Sequence, residues 1–356
     1  MEDIQESYIR GNVPTHSPSA AVLVAPVQLD RSVTPSAHSS IGSRLEWPFG
    51  DSERPYAASL SRRAVLLVFD DSAEAESAAR VVDAIATRLH ATVSVVSIVA
   101  ATPVPIPFPL GVAIAMGEEI AGGTIHEEQE RDIRDRLSAL LARPIEWPTA
   151  IELGAPSDAI ARQAARAKVA LVVMGLRRHG RVDRAVHDET ALSVMRKAAG
   201  PVLGVAAGSV DLPTSALVAM DFSRASVHAA ATAATLMATG GRLTLAHVES
   251  MMESAPDAGE GVVHSLGLEA AFERLERALA SDVLLVDHVV LHHAAPGMPS
   301  SVLLQFAEGR GIDLLVAGSA RHGRLDRVLL GSVSAELVRD GRYSVLIVPP
   351  DHDQAR

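Results

Sequence analysis

Two arginine-rich segments of almost identical sequence stand in the two halves of this 356-residue chain. Residues 178–184 read Arg-His-Gly-Arg-Val-Asp-Arg, and residues 321–327 read Arg-His-Gly-Arg-Leu-Asp-Arg. After three further residues the second segment reaches Gly331 and Ser332, at the predicted start of a helix. Glycine lets a backbone approach a ligand closely, and the free N–H groups at a helix N-terminus favour a phosphate. We therefore interpret Gly331 and Ser332, whose hydroxyl can donate to the same anion, as one end of a phosphate site.

The first half carries the opposite chemistry at this place, because Asp188 and Glu189 follow its arginine-rich segment. Two carboxylates within ~4 to 6 Å of a polyphosphate repel it by at least ~1 kcal/mol per charge pair, even in water. Acidic groups still suit a helix N-terminus, because they complement its dipole. We expect the first half to keep the fold and to lack the site. In the plainer alternative, Asp188 is only an N-cap in a half that never bound a ligand, and the expectation is the same.

A carboxylate at the end of another strand supplies the opposite end of the predicted site. Asp221 closes the first apolar strand of the second half, and Asp70 holds the same place in the first half. A carboxylate there suits the ribose hydroxyls or the base amine of a nucleotide. Taken singly, Asp221 could merely start a turn, and Ser332 could be only an N-cap, worth ~1 kcal/mol. Together they predict phosphate at one end of the site and nucleoside at the other.

Short apolar strands alternate with helical patterns in both halves, and residues 175–205 align with residues 318–348 without a gap. This alternation is typical of a parallel sheet that is covered on both faces. We predict an α/β fold of two tandem Rossmann-like domains, each a five-stranded parallel sheet with helices on both faces, packed as an intrachain pseudo-dimer. The predicted boundaries are a disordered N-terminal extension over residues 1–61, a first domain over residues 62–208 and a second domain over residues 212–350.

The bulk composition excludes several classes of function. The formal net charge is −11, so neither a nucleic acid nor an anionic membrane is expected as the main partner. Cysteine is absent, which excludes thiolate zinc sites and cysteine nucleophiles. The two lysines, Lys168 and Lys197, do not follow glycine, which excludes a Gly-Lys-Ser/Thr phosphate loop. The adjacent His292 and His293 would point to opposite sides of a strand, so no metal site is expected.

The chain shows no signs of export or membrane insertion in its sequence. The first residues lack the basic and apolar regions of a secretion signal, and no run of about 18 apolar residues occurs. We therefore expect a cytosolic protein.

Both halves resemble the universal stress protein domain, over roughly residues 61–350. The matching pieces of the second half are Met-Asp-Phe-Ser at residues 220–223, His-Val at residues 247–248, and the block over residues 318–332 with Val-Leu-Ile-Val at residues 345–348 behind it. In this family the final strands of two domains commonly pair. The resemblance therefore implies that the last strand of the first domain lies against the last strand of the second.

The nucleotide-binding branch of the family has a glycine, two residues, a second glycine, nine residues, and then glycine with serine or threonine. Gly318, Gly331 and Ser332 fall at these spacings, and Arg321 stands in the place of the middle glycine. The side chain of Arg321 would either project where the backbone should meet phosphate or add a charge-assisted contact to it.

The resemblance also implies a role for each residue of the site. Asp221 and the backbone at Val248 would hold ribose and adenine. The phosphates would be held by Gly318, Gly331, Ser332, Val333 and Ser334. The implied ligand is ATP or a related adenine nucleotide, bound in the second domain as a regulatory ligand of a stress-response protein.

Two other functions remain open from the sequence. One is a nucleotide-independent module that recruits an unknown protein partner, with both sites degenerate. The other is a slow ATPase or adenylate-transferring enzyme, although no catalytic residue is predicted because no general base or metal-holding carboxylate pair lies beside the phosphate position. The sequence is also compatible with a homodimer of the whole chain.

Overall fold

The computed structural model describes residues 23–24, 64–99, 113–177, 188–250, 258–279, 284–293, 299–321 and 328–349. The predicted disordered extension therefore lies outside the described residues, except for the two-residue strand β1 (Leu23–Val24). The arginine-rich segments also lie outside them, except for the backbone of Arg321.

The two halves share one order of helices and strands. The first half contains β2 (Ala64–Val68), α1 (Ala73–Leu89), β3 (Thr92–Val99), α2 (Ala113–Leu140), β4 (Thr149–Leu153), α3 (Pro156–Arg166), β5 (Leu171–Leu176), α4 (Asp188–Lys197) and β6 (Val202–Ala206). The second half contains β7 (Ser215–Ala219), α5 (Arg224–Leu236), β8 (Gly241–Ser250), α6 (Ala258–Leu279), β9 (Leu284–His293), α7 (Pro299–Ala307), β10 (Leu314–Gly318), β11 (Ala320–Arg321), β12 (Val328–Leu329), α8 (Ser332–Asp340) and β13 (Ser344–Val348).

Each half forms a five-stranded parallel sheet, as the sequence predicts. The strand order is β6-β5-β2-β3-β4 in the first half and β13-β10-β7-β8-β9 in the second. In both halves the first strand lies in the centre, and the strand order reverses beside it. The helices before and after this reversal cover opposite faces, which is the doubly wound arrangement of Rossmann-like folds.

The two sheets join into one through their last strands. Strands β6 and β13 run antiparallel, with Leu203 opposite Leu346 and Val202 opposite Ile347. The pairing is reinforced by the buried hydroxyl of Ser344, which accepts a hydrogen bond from the backbone N–H of Ala206 at 3.1 Å. The expected intrachain pseudo-dimer is therefore confirmed.

One apolar cluster lies on each face of the joined sheet, and each cluster runs through both halves. Helices α1, α2, α5 and α6 contribute to the first cluster, and α3, α4, α7 and α8 contribute to the second. Across the junction, α4 of the first half packs against α8 and β12 of the second. The two halves therefore share their hydrophobic cores.

Helices α1 and α5 begin in the same way, at corresponding serines. The side chain of Ser72 accepts a hydrogen bond from the N–H of Ala75, and the side chain of Ser223 accepts one from the N–H of Ser226. These caps compensate N–H groups that have no partner within the helix.

One helix begins earlier than the residue pattern predicts, and one short strand in the N-terminal extension, at the apolar run where the sequence allows a strand, adds to the edge of the sheet. Helix α6 begins at Ala258, nine residues before Gly267, where hydrophobic spacing predicts its start, although Gly259 and Gly261 lie in its first turn. Strand β1 lies within the apolar run at residues 20–27 and pairs antiparallel with the edge strand β9, with Leu23 opposite His292. No described helix is both long and apolar enough to cross a membrane.

The junction between the sheets predicts a clear effect of shortening Leu346. This side chain is 0% exposed, so Leu346→Ala should lower the free energy of unfolding by about 2–5 kcal/mol through lost burial and a residual cavity. Chemical denaturation measures the effect. The control is Leu285→Ala, whose side chain is 58% exposed and whose loss should change stability by less than about 0.5 kcal/mol. Equal effects of the two substitutions would contradict the assignment of the junction to the core.

Candidate nucleotide site

The candidate site lies at the carboxyl ends of β7 and β10, where the strand order of the second half reverses. In open parallel sheets this reversal leaves a crevice between the connecting segments, and ligands bind there. Asp221 comes just after β7, Gly318 ends β10, and Gly331 precedes α8. The residues that the sequence predicts at the two ends of a nucleotide are therefore brought to one edge of the sheet.

Asp221 forms the turn between β7 and α5. Its carboxylate accepts a hydrogen bond from the N–H of Ser223 at 3.0 Å, which holds that residue in place as the N-cap. Removal from water would raise the pKa of Asp221, but hydrogen bonds from Ser223 and Ser226 lower it below the ordinary value of a carboxyl. The turn interpretation of Asp221 is correct, and it leaves an exposed carboxylate that is ionised at neutral pH.

The residue after Asp221 has an uncommon backbone conformation. Phe222 lies in the left-handed region, with φ of 57°, and is 8% exposed. Its ring packs against Phe272 of α6 at 4.9 Å between centroids and against His247 of β8 at 5.7 Å. His247 in turn donates from Nδ1 to the carbonyl of Met220 at 2.7 Å. Such strain costs about 1–3 kcal/mol and persists only where surrounding contacts impose it, so these contacts fix the position of Asp221.

Val248 lies beside this turn, near the end of β8. The carbonyl of Ala246, two residues earlier, accepts from the N–H of Met220 just after β7. Backbone groups two residues apart in a strand point to the same side, so those of Val248 point beyond the end of β7. The backbone of Val248 therefore faces the crevice beside Asp221.

Gly318 is explained by the packing of the protein itself. A Cβ atom at this position would lie 2.6 Å from the carbonyl carbon of Ala225 and 2.7 Å from the backbone nitrogen of Ser226. Gly175, its counterpart, has the same relation to α1, where a Cβ atom would lie 2.7 Å from the nitrogen of Ala75. Both glycines let the first turn of a helix approach the central sheet.

Gly331 has no such explanation. It is exposed, and its φ of −60° and ψ of 162° are open to any residue. Among the described residues, no atom beyond its chain neighbours lies within 4 Å of where its Cβ would be. As the N-cap of α8 it provides no side-chain hydrogen bond. The first N–H bonded within this helix is that of Ala335, which donates to Gly331 at 3.0 Å. The N–H groups of the three residues before it therefore face outward at a bare helix N-terminus.

The two serines of α8 behave differently. Ser332 is the exposed first residue of the helix, and Gly331 is the N-cap. The interpretation of Ser332 as only an N-cap is therefore wrong. Ser334 is 3% exposed and donates its hydroxyl to the carbonyl of Gly318 at 3.1 Å. That contact ties the first turn of α8 to the end of β10.

A short hairpin carries Arg321. Strands β11 and β12 pair antiparallel, with Arg321 opposite Val328 and Ala320 opposite Leu329. The hairpin bridges the end of β10 and the start of α8, so the backbone of Arg321 lies at the end of the crevice where the sequence predicts phosphate. Strand pairing at the position of the family's middle glycine was not foreseen from the sequence.

The first half shows a different environment for the corresponding carboxylate. Asp70 binds Ser72, and its second oxygen lies 3.5 Å from the guanidinium of Arg177. Ala320 occupies the place of Arg177 in the second half. In the first half, the carboxylate that corresponds to Asp221 is thus paired with a cation of its own chain. The exchange of Arg177 for Ala320 is visible in the sequence.

One polar residue at this edge of the sheet is given no role by the sequence pattern. Ser319 follows Gly318, is 1% exposed, and its hydroxyl makes no hydrogen bond. A buried hydroxyl without a partner costs about 1–3 kcal/mol. The signal was available, since the first half has Leu176 at this place. Among the residues that the structure describes, no group of three or more His, Asp or Glu side chains is arranged to hold a metal ion.

Comparison with known protein families agrees with this architecture. The sequence model described as the universal stress protein family matches residues 61–206 and again residues 214–349. The chain belongs to the universal stress protein family. It contains two universal stress protein domains in tandem, as the sequence resemblance implies.

Individual relatives are more distant. A universal stress protein of Methanocaldococcus jannaschii is 36% identical over 52 residues, which span 15% of this chain and 31% of that protein. The crystal structure of a universal stress protein from Archaeoglobus fulgidus superposes with a TM-score of 0.56 at 18% identity, covering 82% of this chain and all of that one. A functionally unknown protein from Pseudomonas aeruginosa gives a TM-score of 0.52 at 16% identity, covering 83% and 95% of the two chains. These structures share the tandem fold.

The contrast between the two glycines predicts opposite effects of the same substitution. Gly318→Ala should lower the free energy of unfolding by about 1–3 kcal/mol, because the added methyl overlaps the backbone of α5. Gly331→Ala meets open space and an ordinary φ and changes only the N-cap residue, so it should lower stability by less than about 1 kcal/mol. Chemical denaturation of both variants tests the pair. A large loss of stability in Gly331→Ala would mean that the fold, and not a ligand, requires this glycine.

Proposed function

We propose that this protein binds ATP or a related adenine nucleotide in its second universal stress protein domain, as a regulatory ligand in a stress response. Asp221 and the backbone of Val248 receive the nucleoside, and the start of α8 receives the phosphates. Gly318 shapes the crevice by letting α5 approach the sheet. The cytosolic location expected from the sequence is part of this proposal.

The observation that carries the proposal is the exposed helix N-terminus behind Gly331. The N–H groups of Ser332, Val333 and Ser334 point outward with the positive end of the helix dipole, which favours a phosphate. Neither packing nor the φ and ψ of position 331 requires glycine, and besides its tolerance as an N-cap, glycine there permits close approach of a ligand.

The phosphate end and the nucleoside end lie on opposite sides of the crevice. The nucleoside end is held by β7 and α5, whereas the phosphate end is held by β10 and α8, and the hydrogen bond from Ser334 to Gly318 connects the latter two. This division supports a ligand with one anionic end and one end rich in hydroxyl and amine donors.

We further propose that the nucleotide is held and not turned over. A general base works best with a pKa near the operating pH, whereas hydrogen bonds keep the pKa of Asp221 low and the residue lies at the nucleoside end. A slow ATPase remains the alternative that phosphate release measured over hours would reveal.

The acidic pair of the first domain provides a direct test of the phosphate end. The double variant Gly331→Asp/Ser332→Glu copies that pair into the second domain and should weaken ATP binding at least about 30-fold, because two negative charges then face the phosphates. Isothermal titration calorimetry with ATP measures the change. The matched control Leu153→Asp/Val210→Glu adds two carboxylates at exposed positions outside the crevice and should leave the dissociation constant unchanged.

Two outcomes would contradict the proposal. Equal ATP binding by the parent and the Gly331→Asp/Ser332→Glu variant would remove the phosphate assignment. No binding of any adenine nucleotide by the parent would favour the interaction module, in which both domains recruit a protein.

The corresponding aspartates test the nucleoside end. Asp221→Ala and Asp70→Ala each remove an acceptor for the N–H of the capping serine, so each should lower the free energy of unfolding by about 0.5–1.5 kcal/mol. Only Asp221→Ala should also weaken adenosine binding, by about tenfold, because only the second domain holds the nucleoside. Thermal unfolding and calorimetry separate the two effects. Similar adenosine affinity in both variants would exclude Asp221 as a ligand contact.

A further inference from the structure

Ser319 is a buried hydroxyl at the phosphate end that the protein leaves without a partner. The residue is 1% exposed, and its backbone N–H donates to the carbonyl of Val348 at 2.9 Å, which fixes its main chain beside β13. Its Oγ makes no hydrogen bond. Most buried polar atoms in natural proteins make a hydrogen bond, so a buried hydroxyl without one in a candidate site needs a physical explanation.

The side chain of Ser319 lies on the sheet face that α8 covers. Side chains alternate along a strand, and the Cβ position of Gly318 faces α5 on the opposite face. The same alternation places Leu315 and Ala317 in the cluster that contains residues of α8. Ser319 therefore faces the layer of α8.

Along the direction of the strands, Ser319 lies level with the first turn of α8. Ser334, in that turn, donates its hydroxyl to the carbonyl of Gly318, which belongs to the peptide group that joins Gly318 to Ser319. The Ser319 hydroxyl therefore lies next to the turn whose N–H groups are free. Its single side-chain torsion lets the hydroxyl turn toward an anion held by those groups.

The first domain gives an internal comparison. Leu176 holds the place of Ser319 there, is 3% exposed, and belongs to the apolar cluster together with Leu192 and Met195 of α4. A domain whose helix begins with two acidic residues thus fills this place with an apolar side chain, whereas the domain with the bare helix N-terminus has a hydroxyl.

We propose that Ser319 is a phosphate-binding residue of the second domain, donating its hydroxyl to a phosphate oxygen of the nucleotide. The proposal rests on the proposed function and adds a contact outside the glycine pattern of the site. The proposal gives different roles to two nearby serines. The hydroxyl of Ser334 donates to the carbonyl of Gly318 and shapes the site, whereas the hydroxyl of Ser319 donates to the ligand.

The test compares Ser319→Ala in the full chain with the parent, using ATP and phosphate-free adenosine as probes. Ser319→Ala should weaken ATP binding about tenfold, since a hydrogen bond to a charged group is lost, and should leave adenosine binding unchanged. Without nucleotide, the variant should unfold at the same temperature as the parent or roughly 2 °C higher, because an unpaired buried hydroxyl has been removed.

Two control variants remove hydroxyls that already have partners. Ser334→Ala should lower the unfolding temperature, because the contact with Gly318 is lost. Ser77→Ala removes a hydroxyl that bonds Ala73 and Gly208 in the first domain, and it should lower the unfolding temperature while leaving ATP binding unchanged.

Each other result counts against the assignment in a distinct way. Unchanged ATP binding by Ser319→Ala, or an equal loss of ATP and adenosine binding, overturns the role of Ser319 while the proposed function stands. An unfolding temperature more than roughly 3 °C below that of the parent shows that the hydroxyl has a structural partner, which overturns it as well. A parent that binds neither probe overturns the proposed function together with this role.

Discussion

The antiparallel pairing of β6 with β13 is the constraint on which the arrangement of the two domains depends. It turns two five-stranded sheets into one surface, so that the apolar clusters on its two faces extend through both domains. Neither domain closes its own core at this edge, because Leu203 and Leu346 are both buried at the junction. The first domain is therefore part of the structure that supports the second, whether or not it binds a ligand.

This support reaches the candidate site. Helix α4 of the first domain packs against α8 and against β12, the second strand of the hairpin that follows β10. The hairpin and α8 form the proposed phosphate end of the crevice, so one wall of that end rests on the first domain. The first domain can give this support without binding a ligand, since the packing surface depends on the helix and not on ligand chemistry.

The sequence predicts the fold well, because strong local signals and the internal repeat agree. Apolar strands, helical spacing and the gapless alignment of the last thirty or so residues of each domain dictate the parallel sheets, and the resemblance adds the pairing of the final strands. The sequence is less informative where a role depends on what lies across space. It cannot show that Gly318 is needed by the backbone of Ala225, nor that Ser334 uses its hydroxyl on Gly318. The early start of α6 escapes prediction because glycines, which disfavour a helix, stand in its first turn.

The glycines illustrate how a pattern can combine two physical causes. Gly318 and Gly331 belong to one sequence signature, yet packing alone explains the first and does not touch the second. Gly175 confirms the division, because the first domain keeps the glycine that packing demands and replaces the other with Asp188. For these two glycines, the one retained in both domains reports on the fold, and the one that differs between them reports on the proposed site.

By that criterion the site differs at three places around one crevice. Arg177 pairs with Asp70 at the nucleoside end, where the second domain has Ala320. Leu176 fills the apolar layer where the second domain has the unpaired hydroxyl of Ser319. An acidic helix start replaces Gly331 and Ser332. In the first domain, the three positions hold a packed apolar side chain, an ion pair and acidic residues that suit a helix N-terminus. The second domain has a bare helix start and an unpaired hydroxyl instead, and both raise the free energy of its folded state. A ligand with an anionic end would stabilise both the bare helix start and the unpaired hydroxyl. A purely structural origin of the differences gives no reason for these two features to occur together.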